Sequence, residues 1–266
     1  MGINRLIIFV CLMFSSCNNH NLAILPTPDC EASYAIAERG FGINDTLHGK
    51  LRVIWFSDKE NEIDSTLIHC GLDLLNSHIA EVKLHMSMDT MIEIISYKKH
   101  NMINFISHAQ EYNRSGVFTM YVYGNEQHDF EGEDYRIKGA AAGIPSRAFC
   151  LQSQFLNSST ISHEFLHCVG LFHIHEPDQT DGFNNETGDR VCDTPSYITS
   201  DDILSENCDY IGHQIPDTSN ITCNLMSYAY PYCRNCLTQS QKARVRYIIH
   251  ESSNLKACFG IRSLNL

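Results

Sequence analysis

Residues 163–173 read HEFLHCVGLFH and decide the fold. His163 and His167 are four residues apart, so on an α-helix they project from one face and can bind one metal ion together. Glu164 lies beside the first histidine, where its carboxylate is expected within reach of a water on the metal. Gly170 can adopt positive φ, which ends the helix and lets His173 supply a third nitrogen. Three histidines leave one tetrahedral position of zinc open, which is typical of a catalytic site.

The flanking residues predict a helix that is buried on one side. Phe165, Leu166 and Val169 give it an apolar face, and polar residues at 157–160 offer several N-caps at the right distance upstream. The alternative is an amphipathic helix whose histidines face solvent without a ligand. His175 is another candidate for the third ligand, but its spacing does not fit the motif. We therefore interpret it as a histidine that faces solvent or contacts a zinc ligand without binding the metal.

Three later segments accompany the histidine motif in a fixed order. They are GDRVCDTP at 188–195, CNLMSY at 223–228, and a cysteine at 233 followed by LTQSQ at 237–241. Together with HExxHxxGxxH they resemble the metzincin metallopeptidases, and within these the pappalysin (cytophagalysin) family. The resemblance covers about residues 160–246 and is loose before that.

The resemblance implies a set of roles. By position, His163, His167 and His173 would bind zinc, Glu164 would be the general base, Met226 the floor of the metal site and Tyr228 a stabiliser of the oxyanion. Calcium-binding members commonly carry acidic residues after the tyrosine, where this chain has Ala229, Tyr230, Pro231 and Tyr232. This difference speaks against a calcium site at that turn.

Other residues in the same region have competing interpretations. Asp189 and Asp193 could bind calcium, or they could cap a loop. Cys168 lies inside the active-site helix and is interpreted as a buried free thiol or a structural disulfide partner rather than a zinc ligand. Cys30 could act as a blocking thiolate, although a disulfide is the preferred interpretation.

The first residues predict export. Residues 6–14 form an apolar run that is too short to span a bilayer of roughly 30 Å and has the length of a signal-peptide core. Ser15-Ser16-Cys17 follows and resembles the lipobox of bacterial lipoproteins. We therefore expect a signal peptide over 1–16, a lipidated tether or short pro-segment over 17–48, and location in the bacterial cell envelope, or secretion if Cys17 is not lipidated. Any membrane attachment would be through the lipid on Cys17.

The cysteine content predicts disulfides in an exported chain. Five cysteines lie between positions 192 and 236, so the later half of the chain is expected to be cross-linked. The favoured participants are Cys192, Cys208, Cys223 and Cys233, with the pairing left open. The Cys233-x-x-Cys236 pair is interpreted as structural rather than as a zinc or redox motif.

The fold class follows from the motifs and the pattern of elements. We expect an α+β, metzincin-like domain over 49–266, with an N-terminal subdomain over about 49–172 and a C-terminal one over about 173–266. The first would hold a twisted mixed sheet, a backing helix and the active-site helix, and the second would be irregular and disulfide-rich. A strand at 51–58 would be followed by a helix with Ile68, Leu72, Leu75 and Ile79 on its buried face. A last helix would open with a capping box at Thr238 and Gln241.

Two functions are open at this point. The first is a zinc-dependent endopeptidase that hydrolyses extracellular proteins or peptides through a zinc-bound water, with Glu164 as the base. The second is a surface lipoprotein that binds a partner on the same scaffold without cleaving it; its expected mark is a lost ligand or base, and none is lost here. Nucleic acid is not an expected partner, because 31 acidic residues against 19 basic ones give a net charge of −12.

Overall fold

A mixed six-stranded sheet lies at the centre of the molecule. The computed structural model describes residues 45–57, 64–89, 92–95, 102–124, 138–174, 189–191, 193–194, 207–209 and 219–261. The strands in chain order are β1 (Leu47–Phe56), β2 (Leu84–Met88), β3 (Glu93–Ile95), β4 (Phe118–Tyr123), β5 (Gly139–Ala141) and β6 (Ala148–Gln152). The helices are α1 (Ser65–Ile79), α2 (Phe105–Tyr112), α3 (Thr160–Cys168), α4 (Ser219–Thr222), α5 (Gln239–Glu251) and α6 (Ser253–Cys258).

The strand order is β2-β1-β4-β6-β5, and β3 pairs with β1 beyond the end of β2. Every pairing is parallel except that of β5 with β6, so β5 is an antiparallel edge strand. Parallel neighbours need crossover connections, and α1 between β1 and β2 is the first of these. The predicted α+β fold with a mixed sheet and a backing helix is confirmed.

The core is divided by the sheet into two clusters. One face carries the larger cluster, which includes Leu75 of α1, Phe165 of α3 and Val245 of α5, all buried against strand residues such as Phe118. The other face carries a smaller aromatic cluster, in which Phe105 of α2 packs with residues of β1 and β4. The helix that carries the histidine motif is packed against β5 and β6 of the sheet and against α1, and this fixes its orientation.

Two helix starts agree with the sequence pattern. Asp64 caps α1 through its Oδ1, which accepts from Thr66 N at 2.9 Å, and the four predicted apolar positions of this helix are buried. Thr238 and Gln241 form the predicted capping box of α5. Asp193 adds to it, since its carboxylate accepts from Thr238 Oγ1 at 2.6 Å and from Ser240 N at 2.9 Å.

The structure corrects the sequence-based elements in two ways. Strand β1 starts at Leu47 and ends at Phe56 rather than covering 51–58, because residues 47–51 pair in register with β2. The short helices α2, α4 and α6 were not predicted. With eight, four and six residues they are too short for a clear helical period. None of the described helices is long and apolar enough to cross a membrane.

The predicted cross-linking of the C-terminal part is present. Cys208 pairs with Cys233, and Cys223 pairs with Cys236. The two cysteines of the C-x-x-C pair thus bind different partners, and their structural interpretation is confirmed. Cys236 takes part although it was not among the favoured four. Cys192, like Cys17, Cys30 and the rest of the predicted signal and tether, lies outside the described residues.

Candidate metal centre

Helix α3 presents two of the three predicted ligands on one face. His163 and His167 are both buried, and their Nε2 atoms are 3.2 Å apart. The helix is held against the sheet by apolar residues such as Phe165, and all nine of its residues are buried, the two imidazoles included. Two rings fixed one helical turn apart form half of a metal site.

The turn after α3 brings in the third histidine. Gly170 has φ of 102°, and its N–H donates to His167 O at 3.0 Å, which ends the helix with a left-handed residue. Arg244 of α5 donates from Nε to Gly170 O at 2.9 Å, and its guanidinium lies 5.3 Å from the centre of the Phe172 ring. This anchored turn places His173 Nε2 at 2.9 Å from His167 Nε2 and 3.1 Å from His163 Nε2.

Two of the three rings are held in the orientation that a metal ion requires. His163 Nδ1 is 2.7 Å from Leu225 O, and His167 Nδ1 is 2.7 Å from Leu171 O. Because a carbonyl can only accept, each Nδ1 carries the hydrogen and each Nε2 keeps a lone pair directed at the shared centre. Burial lowers the pKa of His163 well below its usual value and that of His173 to about 3, so both rings are neutral.

This donor set fits zinc. Zinc–nitrogen bonds of about 2.0–2.1 Å place tetrahedral ligands about 3.3–3.4 Å apart, close to the separations of the three Nε2 atoms. Within the described residues, one group of three metal-binding side chains converges on one point, and it consists of His163, His167 and His173. A fourth position is left to a small ligand.

Glu164 follows His163 in α3, and its side chain is buried away from water. The side chain is buried and packs against Gly139 of β5, where an added Cβ would lie 2.7 Å from Glu164 Cγ. Burial raises the pKa of Glu164 to about 8, while the charge of Arg234 lowers it. A dication at the triad would lower it further, because a nearby positive charge favours the ionised carboxylate.

The methionine turn contacts the first of the three histidines. Met226 is fully buried, Leu225 supplies the carbonyl that orients His163, and Ile174 N donates to Met226 O at 3.3 Å. Asn224 holds the turn to α5 through a pair of hydrogen bonds with Gln241, of 2.9 and 3.2 Å. The turn is thereby tied to both α3 and α5.

Tyr228 follows the turn and faces the metal site. Its ring centre is 4.7 Å from that of His173 and 6.3 Å from that of His163. The side chain is about half exposed, at 52%. Its ring is therefore close to two of the three candidate ligands, and its role as a stabiliser of the oxyanion stays a prediction.

Sequence reasoning missed one residue of the site, Arg234. This buried guanidinium donates to Ser159 Oγ at 3.1 Å, Thr160 Oγ1 at 3.2 Å and Ser227 O at 3.2 Å, and Nη1 lies 3.1 Å from His163 Nδ1. It thus joins the start of α3 to the methionine turn behind the first ligand. The available signal was that Arg234 is the one charged residue between positions 219 and 241.

The other candidates of the sequence analysis do not join the triad. Asp189 accepts from Thr194 Oγ1 at 2.6 Å and from Val191 N at 3.3 Å, and Asp193 caps α5, so both have the loop-capping contacts of the second interpretation. Cys168 is a buried free thiol with its Sγ 3.2 Å from Ser146 Oγ. His175 lies outside the described residues.

Comparisons with known proteins agree with this geometry. The family model described as pregnancy-associated plasma protein-A, peptidase M43, matches residues 148–250. Mature mirolysin from Tannerella forsythia, solved in complex with a cleaved peptide, is similar with a TM-score of 0.61 at 15% identity, over 81% of this chain and 96% of that one. A promirolysin mutant from the same organism gives 0.62 at 15% identity, over 86% and 89%. No curated protein matches the sequence.

Proposed function

The chain carries a peptidase domain that resembles the pappalysin family of the metzincins, and on this premise we propose that it is a zinc-dependent endopeptidase. The family match and the shared fold support a metallopeptidase. The observation that carries the proposal is the convergence of three buried Nε2 atoms within 3.2 Å of one another, next to a buried glutamate.

The chain's own residues supply the proton transfers. When bound, zinc supplies a Lewis acid that polarises a carbonyl and lowers the pKa of a coordinated water towards about 7. Glu164, which follows His163 in α3, accepts a proton from the attacking water on its carboxylate and returns it to the leaving amine. Tyr228, whose ring lies beside that of His173, donates a hydrogen bond to the oxyanion that forms from the substrate carbonyl.

The residues behind the triad keep these groups in place. Leu225 O and Leu171 O fix the ring orientation of two ligands, and Arg244 holds the turn that carries the third. Arg234 keeps a positive charge near Glu164, which favours the ionised base. The relative solved with a cleaved peptide supports a protein or peptide as substrate.

The deciding experiment separates the base from the ligands. Glu164→Gln removes the base but keeps the three histidines and nearly the same shape, so zinc should stay near one ion per chain while hydrolysis falls about 10² to 10⁴-fold. His167→Ala should lose zinc and activity together, because two nitrogens hold zinc poorly. Zinc content and cleavage of a diverse peptide library are measured for wild type and both variants.

Two outcomes would contradict the proposal. Undiminished cleavage by Glu164→Gln would refute the role of the base. A wild-type protein with full zinc and intact disulfides that cuts nothing in the library would favour the other function, a lipoprotein that binds a partner without cleaving it.

The cellular location is a further part of the proposal. The apolar run over 6–14 and the Ser15-Ser16-Cys17 junction support export and lipidation of Cys17. Mass spectrometry of membrane-extracted protein should then find an acylated cysteine at the N-terminus. A soluble mature form that starts at another residue would be evidence for plain secretion.

A further inference from the structure

The loop after the methionine turn carries an exposed aromatic surface. Five large apolar or aromatic side chains are exposed among the described residues, and three of them lie within residues 228–232; the five are Ile94, Ile103, Tyr228, Tyr230 and Tyr232. The Tyr230 and Tyr232 rings stack, with centres 5.5 Å apart and planes 15° apart, and these two rings are called the tyrosine pair below. Concentrated exposed aromatic surface commonly marks a binding site.

The backbone under the tyrosine pair is held at several points. Ser159 at the start of α3 donates from Oγ to Pro231 O at 2.6 Å, and Cys233 N donates to Tyr230 O at 2.9 Å. The disulfide of Cys233 with Cys208 fixes the end of the loop. A surface held in this way loses little conformational entropy when a ligand binds, which favours affinity.

The tyrosine pair lies within a few residues of the metal site. Tyr228, whose ring contacts that of His173 at 4.7 Å between centres, is two residues before Tyr230 and four before Tyr232. Four residues of chain span at most about 14 Å. An extended peptide with one carbonyl at the triad can therefore reach the tyrosine pair with a side chain only a few positions from that carbonyl.

The charge around the tyrosine pair indicates which side chains fit. Residues 219–241 contain no acidic side chain, and their one charged residue, Arg234, is buried next to the loop and donates to Ser227 O. A cationic side chain of a substrate would thus find no carboxylate from this loop and a guanidinium close by. A neutral aromatic ring meets no such penalty and can stack on a tyrosine face or pack against its edge.

We propose that the tyrosine pair binds an aromatic side chain of the peptide substrate and so gives the enzyme a preference for peptides with an aromatic residue near the scissile bond. This inference rests on the proposed peptidase function. It adds a class of substrate that the histidine triad and Glu164 do not determine, because those groups act on the peptide bond common to all substrates.

Binding and cleavage are measured separately to test it. The probes are octapeptides of alanine, serine and glycine in which one phenylalanine is moved through every position, with matched series that carry leucine or arginine instead. Binding is measured by calorimetry on zinc-loaded Glu164→Gln protein, and kcat/KM on the protein with Glu164 intact. At one or two positions phenylalanine should bind about tenfold better than leucine, the gain typical of one aromatic contact.

Variants of the tyrosine pair test whether its rings cause the preference for phenylalanine. Tyr230→Ser with Tyr232→Ser should reduce the phenylalanine-to-leucine ratio to about one, and Tyr230→Phe with Tyr232→Phe should keep it, since the rings remain. Ile94→Ser removes a comparably exposed apolar side chain from β3 and should leave the ratio unchanged. Zinc content and thermal unfolding show whether each variant is folded.

The outcomes distinguish this proposal from the function on which it rests. No aromatic preference at any position, a preference for arginine, or a preference that survives in the double serine variant would overturn the role of the tyrosine pair. Aromatic-selective binding without cleavage by any form would keep that role and overturn the peptidase function. Cleavage without aromatic preference would keep the peptidase function and overturn the role of the tyrosine pair.

Discussion

At the scale of single residues, the position of the Glu164 side chain depends on the residue against which it packs. This side chain packs against the edge strand β5, where Gly139 leaves room for it. An ordinary side chain at position 139 would occupy the space that the carboxylate now fills. The motif shows that a glutamate is present, but its placement depends on a glycine 25 positions earlier in the chain.

Gly139→Ala should therefore lower activity without removing the metal. The added Cβ would lie 2.7 Å from Glu164 Cγ and 2.8 Å from Leu151 Cδ2, so the glutamate must move. We expect kcat/KM to fall about tenfold or more, a part of what a general base supplies, while zinc content stays at the wild-type level. Both are measured on purified protein.

Gly143→Ala is the matched control for this variant. Its Cβ would meet nothing nearer than Pro145 O at 3.7 Å, an ordinary contact. Equal activity of the two variants would show that the space at position 139 does not position Glu164.

At the scale of elements, the third ligand depends on how α5 packs against the turn after α3. Gly170 lies against Ile248, and Arg244 of the same helix holds the carbonyl of Gly170. The capping box at Thr238 and Gln241 fixes where α5 begins, and Gln241 also contacts the methionine turn through Asn224. One helix thus supports two sides of the metal site.

Gly170→Ala should disturb this arrangement strongly. A Cβ at this position would lie 2.7 Å from two carbons of Ile248, and a φ of 102° is strained for any other residue. We expect a loss of about 2 kcal/mol or more in the free energy of unfolding. Weaker zinc binding should accompany it, because His173 is displaced. Chemical denaturation and zinc titration measure the two effects.

Gly124→Ala is its control, since a Cβ there meets no atom within 4 Å and the residue has no positive φ. It should change neither the free energy of unfolding nor that of zinc binding by more than about 0.5 kcal/mol. If Gly170→Ala unfolds like this control and binds zinc normally, α5 does not hold the turn.

At the scale of the whole molecule, the described disulfides cross-link the segments around the methionine turn and the tyrosine pair. The bond between Cys223 and Cys236 closes 13 residues around the methionine turn, and Leu225 N donates to Cys236 O beside it. The bond between Cys208 and Cys233 closes 25 residues and ends at the loop of the tyrosine pair. Both bonds therefore hold segments that lie next to the candidate active site.

Replacing Cys223 and Cys236 together by serine should lower the free energy of unfolding by roughly 2–4 kcal/mol. Zinc affinity should fall as well, because Leu225 in the closed loop orients His163. Cys70→Ser, at an exposed free thiol on α1, is the control and should change neither quantity. Unchanged zinc affinity in the double variant would show that the turn keeps its shape without the bond.

The sequence by itself determined the local features of this protein. The spacing of the histidines, Gly170 at the end of α3, the buried face of α1 and the capping box of α5 all act within a few residues, so periodicity and residue type reveal them. The motif order also indicated the metallopeptidase family and the mixed sheet. The short helices α2, α4 and α6 gave too few turns for such a pattern.

Tertiary structure alone decided the contacts between distant segments. Gly139 against Glu164, Arg234 behind His163 and the partners of Cys233 and Cys236 join residues from 13 to 71 positions apart. No local periodicity encodes such contacts, because they depend on which elements pack together and on the path of the chain between them. The motif names the ligands and the base, and the packing of β5, α5 and the cross-linked loop holds them at one point.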